Sequence, residues 1–141
     1  MAKTAKQVQT DIINLLKNSL LDENTTGNIY RKGYRPRDSR NEDIIVSYTT
    51  GLPDEVQTGV VTINIFIPNI DPYADGILVE NGLRSEYIES LAQEWVDSLP
   101  NIKSKTGANY LFELQQTIYT ENEPEIKQHF VVVKLKYRLY E

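Results

Sequence analysis

Val56-Gln-Thr-Gly-Val-Val-Thr-Ile-Asn-Ile-Phe-Ile-Pro68 is the stretch whose reading decides the fold. Val61, Ile63, Ile65 and Ile67 fall on one face at period two, and Val60, Thr62, Asn64 and Phe66 fall on the other. β-Branched residues alternating over a run this long read as a strand buried on one side and partly covered on the other. Pro68 has no N–H to give a ladder and so fits the strand's end. The stretch is read as a central strand, beside or above which every other element must lie.

Immediately before it, Ile44 to Thr50 alternates Ile44, Val46 and Tyr48 against Ile45, Ser47 and Thr49. Gly51-Leu-Pro-Asp54 is turn chemistry, so this strand folds back antiparallel onto the first. Further upstream, Val8, Ile12, Leu15, Leu16 and Leu20 recur at spacings of three and four, which predicts a helix over 4–21. Thr4 is its expected cap, and the polar run Asp22 to Gly27 its end. Residues 28–43 are a polar, basic connection. Ile29 and Tyr30 can open a strand there, and Gly33 and Pro36 argue against continuous pairing.

Downstream, Asn69 to Gly82 is long for a loop in a compact domain, and long structured loops are usually functional or interfacial. Its Ile77, Leu78 and Val79 need a cover, for which a neighbouring subunit is one candidate. Residues 85–99 read as a second helix with the stripe Ile88, Leu91, Ala92, Trp95 and Leu99, started by Ser85 and Glu86 and stopped by Pro100. Trp95 lies on that stripe and is read as a core anchor. The last third reads as a long hairpin. Tyr110, Phe112, Leu114 and Ile118 alternate with polar residues, an acidic turn spans 120–125, and Val131, Val133, Leu135, Tyr137 and Leu139 then oppose Lys134, Lys136 and Arg138. Such regular alternation turns one face to the core and the other to water or a partner. Strands of this length can carry the hairpin beyond the domain.

The order is helix, two strands, helix, two strands. It predicts one α+β domain over residues 1–141, an antiparallel sheet with both helices packed on one face and a long C-terminal β-hairpin. A chain of 141 residues with 40% apolar and 25% charged residues can bury such a core without staples. There is no cysteine, which excludes disulfides and thiolate catalysis. The N-terminus has charge but no apolar core after it, so it does not read as a secretion signal, and no stretch is long and apolar enough for a spanning helix. No membrane role is expected.

No catalytic constellation emerges. His129 is the one histidine, at the start of an alternating strand, and reads as structural or solvated. Zinc sites and a Gly-x-Ser-x-Gly elbow are missing, and the glycines are scattered rather than grouped for phosphate. Asp71, Asp75 and Gly76 resemble a calcium loop only faintly, since Tyr73 and Gly82 break the pattern. No cofactor, metal or enzymatic activity is expected.

The most specific local feature is basic. Tyr30 to Arg40 holds Arg31, Lys32, Arg35, Arg37 and Arg40 against Asp38 alone, a net +4, which leaves −9 on the rest of a chain whose total is −5. That balance argues against a general nucleic-acid binder and allows one local basic contact. Interleaved tyrosines and cations can stack on bases and grip phosphates. The charge of the rest of the chain favours instead a solvated or subunit-bridging loop, in which the arginines pair with the acidic body of a neighbour.

Taken together, helix 4–21, hairpin 44–67, helix 85–99 and hairpin 109–140 resemble the tail-terminator and tail-completion proteins of tailed bacteriophages. These are small neck proteins of the head–tail junction. Tyr34-Arg-Pro-Arg-Asp-Ser-Arg40 followed by the Ile44 strand is also similar to neck proteins of gut Bacteroidetes phages. The resemblance lies in element order, size and hairpin length over nearly the whole chain. It implies a structural virion protein, made in the bacterial host cytoplasm, that forms a hexameric or dodecameric ring against portal, neck or tail proteins. DNA would pass transiently through its channel, and an acidic monomer suits a channel that must release DNA. In such a ring the Arg31–Arg40 segment of one subunit is expected to meet Glu121, Glu123 and Glu125 of the next. The alternative from another class is a small α+β module that contacts nucleic acid or an acidic partner through Tyr30–Arg40.

Overall fold

The computed structural model describes residues 2–99, 102–103 and 109–140. The decisive stretch is strand β3 (Gln57–Pro68). It pairs antiparallel with β2 (Ile44–Leu52) on one side and with β7 (Gln128–Tyr140) on the other, in register from Gln57 opposite Leu139 to Pro68 opposite Gln128. The sheet runs β1 (Ile29–Arg31), β2, β3, β7, β5 (Asn109–Leu114), β4 (Ile102–Lys103), with β6 (Tyr119–Glu123) also paired to β7.

The period-two reading is met residue by residue. Val61, Ile63, Ile65 and Ile67 form one buried row with Val131, Val133, Leu135, Tyr137 and Leu139 beside it. Onto this face pack helix α1 (Ala5–Leu16), through Val8, Ile12 and Leu16, and helix α3 (Gly82–Asp97), through Ile88, Leu91, Ala92, Trp95 and Val96. Each such aliphatic or aromatic side chain, once buried, contributes about 1.5–3 kcal/mol. Trp95 is 4% exposed and its indole N–H points to the Leu15 carbonyl at 3.4 Å, which fixes it as the anchor between the helices and the sheet. The fold is α+β with both long helices on one face.

Four local readings need correction. The first helix stops at Leu16, because Asn18 adopts a left-handed φ of 63° and Ser19 caps a new short helix, α2 (Leu20–Glu23). The turn sends Leu21 rather than Leu20 into the core. The third helix begins earlier than Ser85: the Asn81 side chain accepts from the Arg84 N–H, and Ser85 is buried inside the first turns.

The sheet is mixed, not wholly antiparallel. β1 runs parallel to β2, since the connection 32–43 supplies the dozen or so residues that a parallel crossover needs. Finally, the first arm of the expected 109–140 hairpin is interrupted after Leu114, and most of the expected 120–125 turn is strand, as part of β6. β5 follows the Tyr140 half of β7 and β6 the Gln128 half, so the hairpin lies within the sheet rather than projecting from it. Its turn is a 3-10 turn, Pro124–Ile126, closed by Lys127 in the left-handed region.

At the Thr58 end, β2 and β3 approach closely. Tyr48 and Tyr137 join their hydroxyls at 2.9 Å, and Gln57 donates to Tyr137 at 3.0 Å. Gly59 lies beneath them, where a Cβ would stand 2.6 Å from the Tyr137 ring and 2.7 Å from the Thr50 carbonyl. Burial, followed by the Tyr48 hydroxyl, pushes the Tyr137 phenol well above its ordinary pKa. On the neighbouring strand Tyr110 donates to the buried Asp11 of α1 at 2.6 Å, which ties that helix to the sheet.

Candidate functional site

The basic segment takes in the end of β1 and the crossover to β2, and its Arg35 lies against Phe66 on the sheet face opposite the helices. Its five cations divide into two groups. Arg35 is held inside the chain: Nε donates to Asp43 at 2.8 Å, one terminal nitrogen to Gln128 at 2.8 Å, and the guanidinium lies 4.2 Å from the Phe66 ring centre. Gln128 returns a hydrogen bond to the Ser39 carbonyl at 2.8 Å. Arg31 donates to the Thr10 hydroxyl of α1. Lys32, Arg37 and Arg40 are exposed, as is Tyr34 at 72%. Among the described residues, the charged side chains of those three make no hydrogen bond or ion pair, although the Lys32 backbone N–H donates to the Val46 carbonyl at 3.0 Å.

Asp43 is the hub of this loop. Burial pushes its carboxyl up, but the Ser39 hydroxyl, the Arg35 guanidinium and the Asn28 N–H prevail and hold its pKa below the ordinary 3.8. Gly27 is required beside it, because a Cβ there would come within 2.1 Å of the carboxylate. Next to it, Glu42 receives a two-pronged contact from Arg84 of α3, at 2.7 Å for each nitrogen. The loop is thereby fastened to both layers.

The expected acidic partner sits nearby in the same chain. Glu121 and Glu125 are exposed and Glu123 is half-buried, on β6 and the turn that leads into Gln128. Glu121 accepts from the Tyr119 hydroxyl at 2.9 Å. The structure therefore places basic loop and acidic turn at one end of the sheet, both beside Gln128, with no ion pair between them among the described residues.

Residues 69–82 form an arm at that same end. Ile70 and Val79 exchange backbone hydrogen bonds at 2.9 and 2.8 Å. The Asp71 carboxylate accepts from the Asp75 and Gly76 N–H groups at 3.1 and 2.9 Å, with Gly76 in the left-handed region at φ 83°. That role accounts for the faint calcium-loop pattern, and among the described residues no cluster of metal-ligating side chains occurs. The backbone is organised, yet every residue from 71 to 80 is exposed, including Tyr73 at 84% and Ile77 at 64%. Three acids, Asp71, Asp75 and Glu80, lie in this segment without a single cation. His129 sits beneath the arm, fully buried, with Nδ1 2.6 Å from the Asn69 side-chain oxygen. Burial lowers its pKa from 6.5 more than the Glu80 charge and the Asn81 backbone raise it.

At the opposite end of β3, the open sheet face holds a groove of about 710 Å³. Two cross-strand rows floor it: Leu52, Thr58, Arg138 and Leu111 in one, and Thr50, Val60, Lys136 and Glu113 in the next. Leu52 is 66% exposed, and Lys136 and Arg138 reach solvent. A register shift between Tyr48 and Thr50 turns Thr50 and Leu52 onto this face. Sequence reasoning did not assemble the groove. Its one legible signal was the polar side of β7, where Lys134, Lys136 and Arg138 alternate against the core.

No protein-family model and no curated protein matches the chain. Solved structures do share its architecture. One superposes over 99% of this chain and 98% of its own with a TM-score of 0.55 at 12% identity, a likeness that shows the fold alone. Among the described residues no helix is long and apolar enough to cross a membrane.

Proposed function

We propose that this protein is a non-enzymatic structural subunit of a tailed-phage virion, which closes into a ring at the head–tail junction through which DNA passes. The observation that carries the reading is the pairing of an organised arm, exposed along residues 71–80 with Tyr73 and Ile77 at its surface, with an uncovered groove on the other end of the same sheet. Two unlike surfaces on one chain are what head-to-tail association into a closed ring requires. The order of helix, hairpin, helix and hairpin read from the sequence, and with it the resemblance to tail-terminator and tail-completion proteins, supply the virion context. Portal, neck or tail proteins would be the neighbours above and below.

Two contacts between ring neighbours are compatible with this reading. Subunits standing side by side would bring Lys32, Arg37 and Arg40 of one to Glu121, Glu123 and Glu125 of the next. Subunits that overlap end over end would bring the arm of one to the groove of the next.

Native mass spectrometry over rising concentration, with negative-stain imaging of the same samples, tests the ring. Closed hexamers or dodecamers are expected. A chain that stays monomeric throughout and binds DNA tightly with a steep salt dependence would replace the ring by a nucleic-acid-binding module. The exposed Tyr34, Lys32, Arg37 and Arg40 are the residues that favour that second reading.

A further inference from the structure

We infer that the arm at 69–82 of one copy seats in the open-face groove of a second copy, and that this contact is the main bond between subunits. The inference rests on the ring reading and names the surfaces through which it would be built.

Three observations converge. First, the arm leaves apolar surface uncovered by its own chain: Tyr73 and Ile77 are largely exposed, and Leu78 and Val79 in part, on a backbone held by its own hydrogen bonds. An apolar surface that is both ordered and uncovered marks an interaction site. Second, the charges match. The charged side chains of the arm are all acids, Asp71, Asp75 and Glu80, while the groove floor carries Lys136 and Arg138 against the single acid Glu113, among Leu52, Val60 and Leu111. Complementary charge of this kind fixes orientation and excludes wrong partners. Third, a chain cannot satisfy itself. The arm springs from Pro68 and the groove begins at Val60, so about 25 Å of strand separates them. The partner must be another molecule, and because arm and groove differ, each bound copy still offers one of each.

The chain has no cysteine, which makes the test clean. Ile77→Cys and Leu52→Cys are placed in one chain and oxidised under mild conditions. Both sites are exposed, and the two positions lie too far apart for a bond within one molecule. A ladder of disulfide-linked oligomers beyond the dimer is expected from the double variant, with neither single variant giving more than a dimer. In parallel, an arm variant (Tyr73→Lys with Ile77→Lys) and a groove variant (Leu52→Glu with Arg138→Glu) are each expected to weaken self-association on the order of thirtyfold, as loss of central interface anchors does. Mixed one to one, they are expected to stop at a heterodimer, since only one competent arm and one competent groove remain. Circular dichroism and thermal melts of the variants guard against loss of fold.

The outcomes separate the two ideas. Rings that persist in the arm and groove variants, without a ladder, overturn this inference and leave the ring standing. A ladder without closed rings supports the contact and overturns the ring. A wild type that never associates, together with a double-cysteine variant that gives no ladder, overturns both. A wild type that carries a small apolar molecule into native mass spectrometry, with no ladder from the double-cysteine variant, assigns the groove to a ligand and overturns the inference.

Discussion

The guanidinium of Arg35 stacks over the ring of Phe66 at 4.2 Å while its Nε donates to Asp43 at 2.8 Å. One of the five cations that make the crossover look like a binding segment is thus part of the fold. Asp43 is almost fully buried, and removing its partner strands a charge away from water. Arg35→Ala is expected to destabilise the protein by about 3 kcal/mol, and Arg35→Lys to recover little, since a lysine cannot reproduce the fork. Arg37→Ala and Arg40→Ala should stay within about 0.5 kcal/mol, as exposed substitutions do. Urea denaturation measures all four. Equal small effects would remove Arg35 from the structural set.

A second prediction concerns Gly59. An alanine methyl there meets the Tyr137 ring at 2.6 Å and the Thr50 backbone carbonyl at 2.7 Å, and the carbonyl belongs to a paired strand that cannot swing aside. Gly59→Ala is expected to cost about 1–3 kcal/mol by overpacking. Tyr137→Phe removes the hydroxyl shared with Tyr48 and Gln57 and should cost about 1–2 kcal/mol through the partners left unsatisfied. Thermal melts of the two variants check both values, and a Gly59→Ala protein as stable as wild type would contradict the packing described.

Stability should fall in acid in two steps of different origin. His129 is buried and its folded pKa lies below 6.5, so the unfolded chain takes up the proton first. Its contribution is complete above pH 6.5 and is lost as pH falls from there through the lower folded value. Asp43 behaves likewise from 3.8 downward, because its folded carboxyl holds its charge to lower pH than the unfolded one. Urea midpoints measured from pH 7.5 down to 3 are expected to decline in both windows. In His129→Gln the first decline should flatten while the second remains; an unchanged first decline would point to other groups.

The sheet was legible because burial on one face writes itself into alternate residues: Ile63, Ile65, Val133 and Leu135 follow it without exception. Helix positions were legible for the same reason, but their ends were not. Asn18 breaks the first helix through a single left-handed residue, which no apolar periodicity reports. The parallel β1 was hidden because three residues pair only after a long crossover has returned the chain. Charge was the least legible. Arg31 and Arg35 look like Arg37 and Arg40 in sequence, and only the fold shows which have Thr10, Asp43 and Phe66 as neighbours. The groove depends on four strands meeting at one end, so its residues carry no shared local signature.

The last prediction asks which of the two ring contacts carries the assembly. Side-by-side subunits would join the basic loop to the acidic turn through exposed charges. Such pairs contribute about 0.2–1 kcal/mol each and fade as salt shortens the screening length. Overlapping subunits would join arm to groove through apolar side chains, which salt does not screen. Because Arg31 and Arg35 are already engaged within the chain, the loop has fewer charges to spend on a neighbour than its composition indicates. Reversing Glu121, Glu123 and Glu125 to lysine is therefore expected to weaken self-association only at low salt, by about tenfold or less, and to leave it unchanged near 0.5 M salt, where the screening length is only about 4 Å. Sedimentation velocity at the two ionic strengths reads this directly. No effect at either salt would remove the loop-to-turn contact altogether, whereas loss of assembly at both would make it the principal bond and displace the arm.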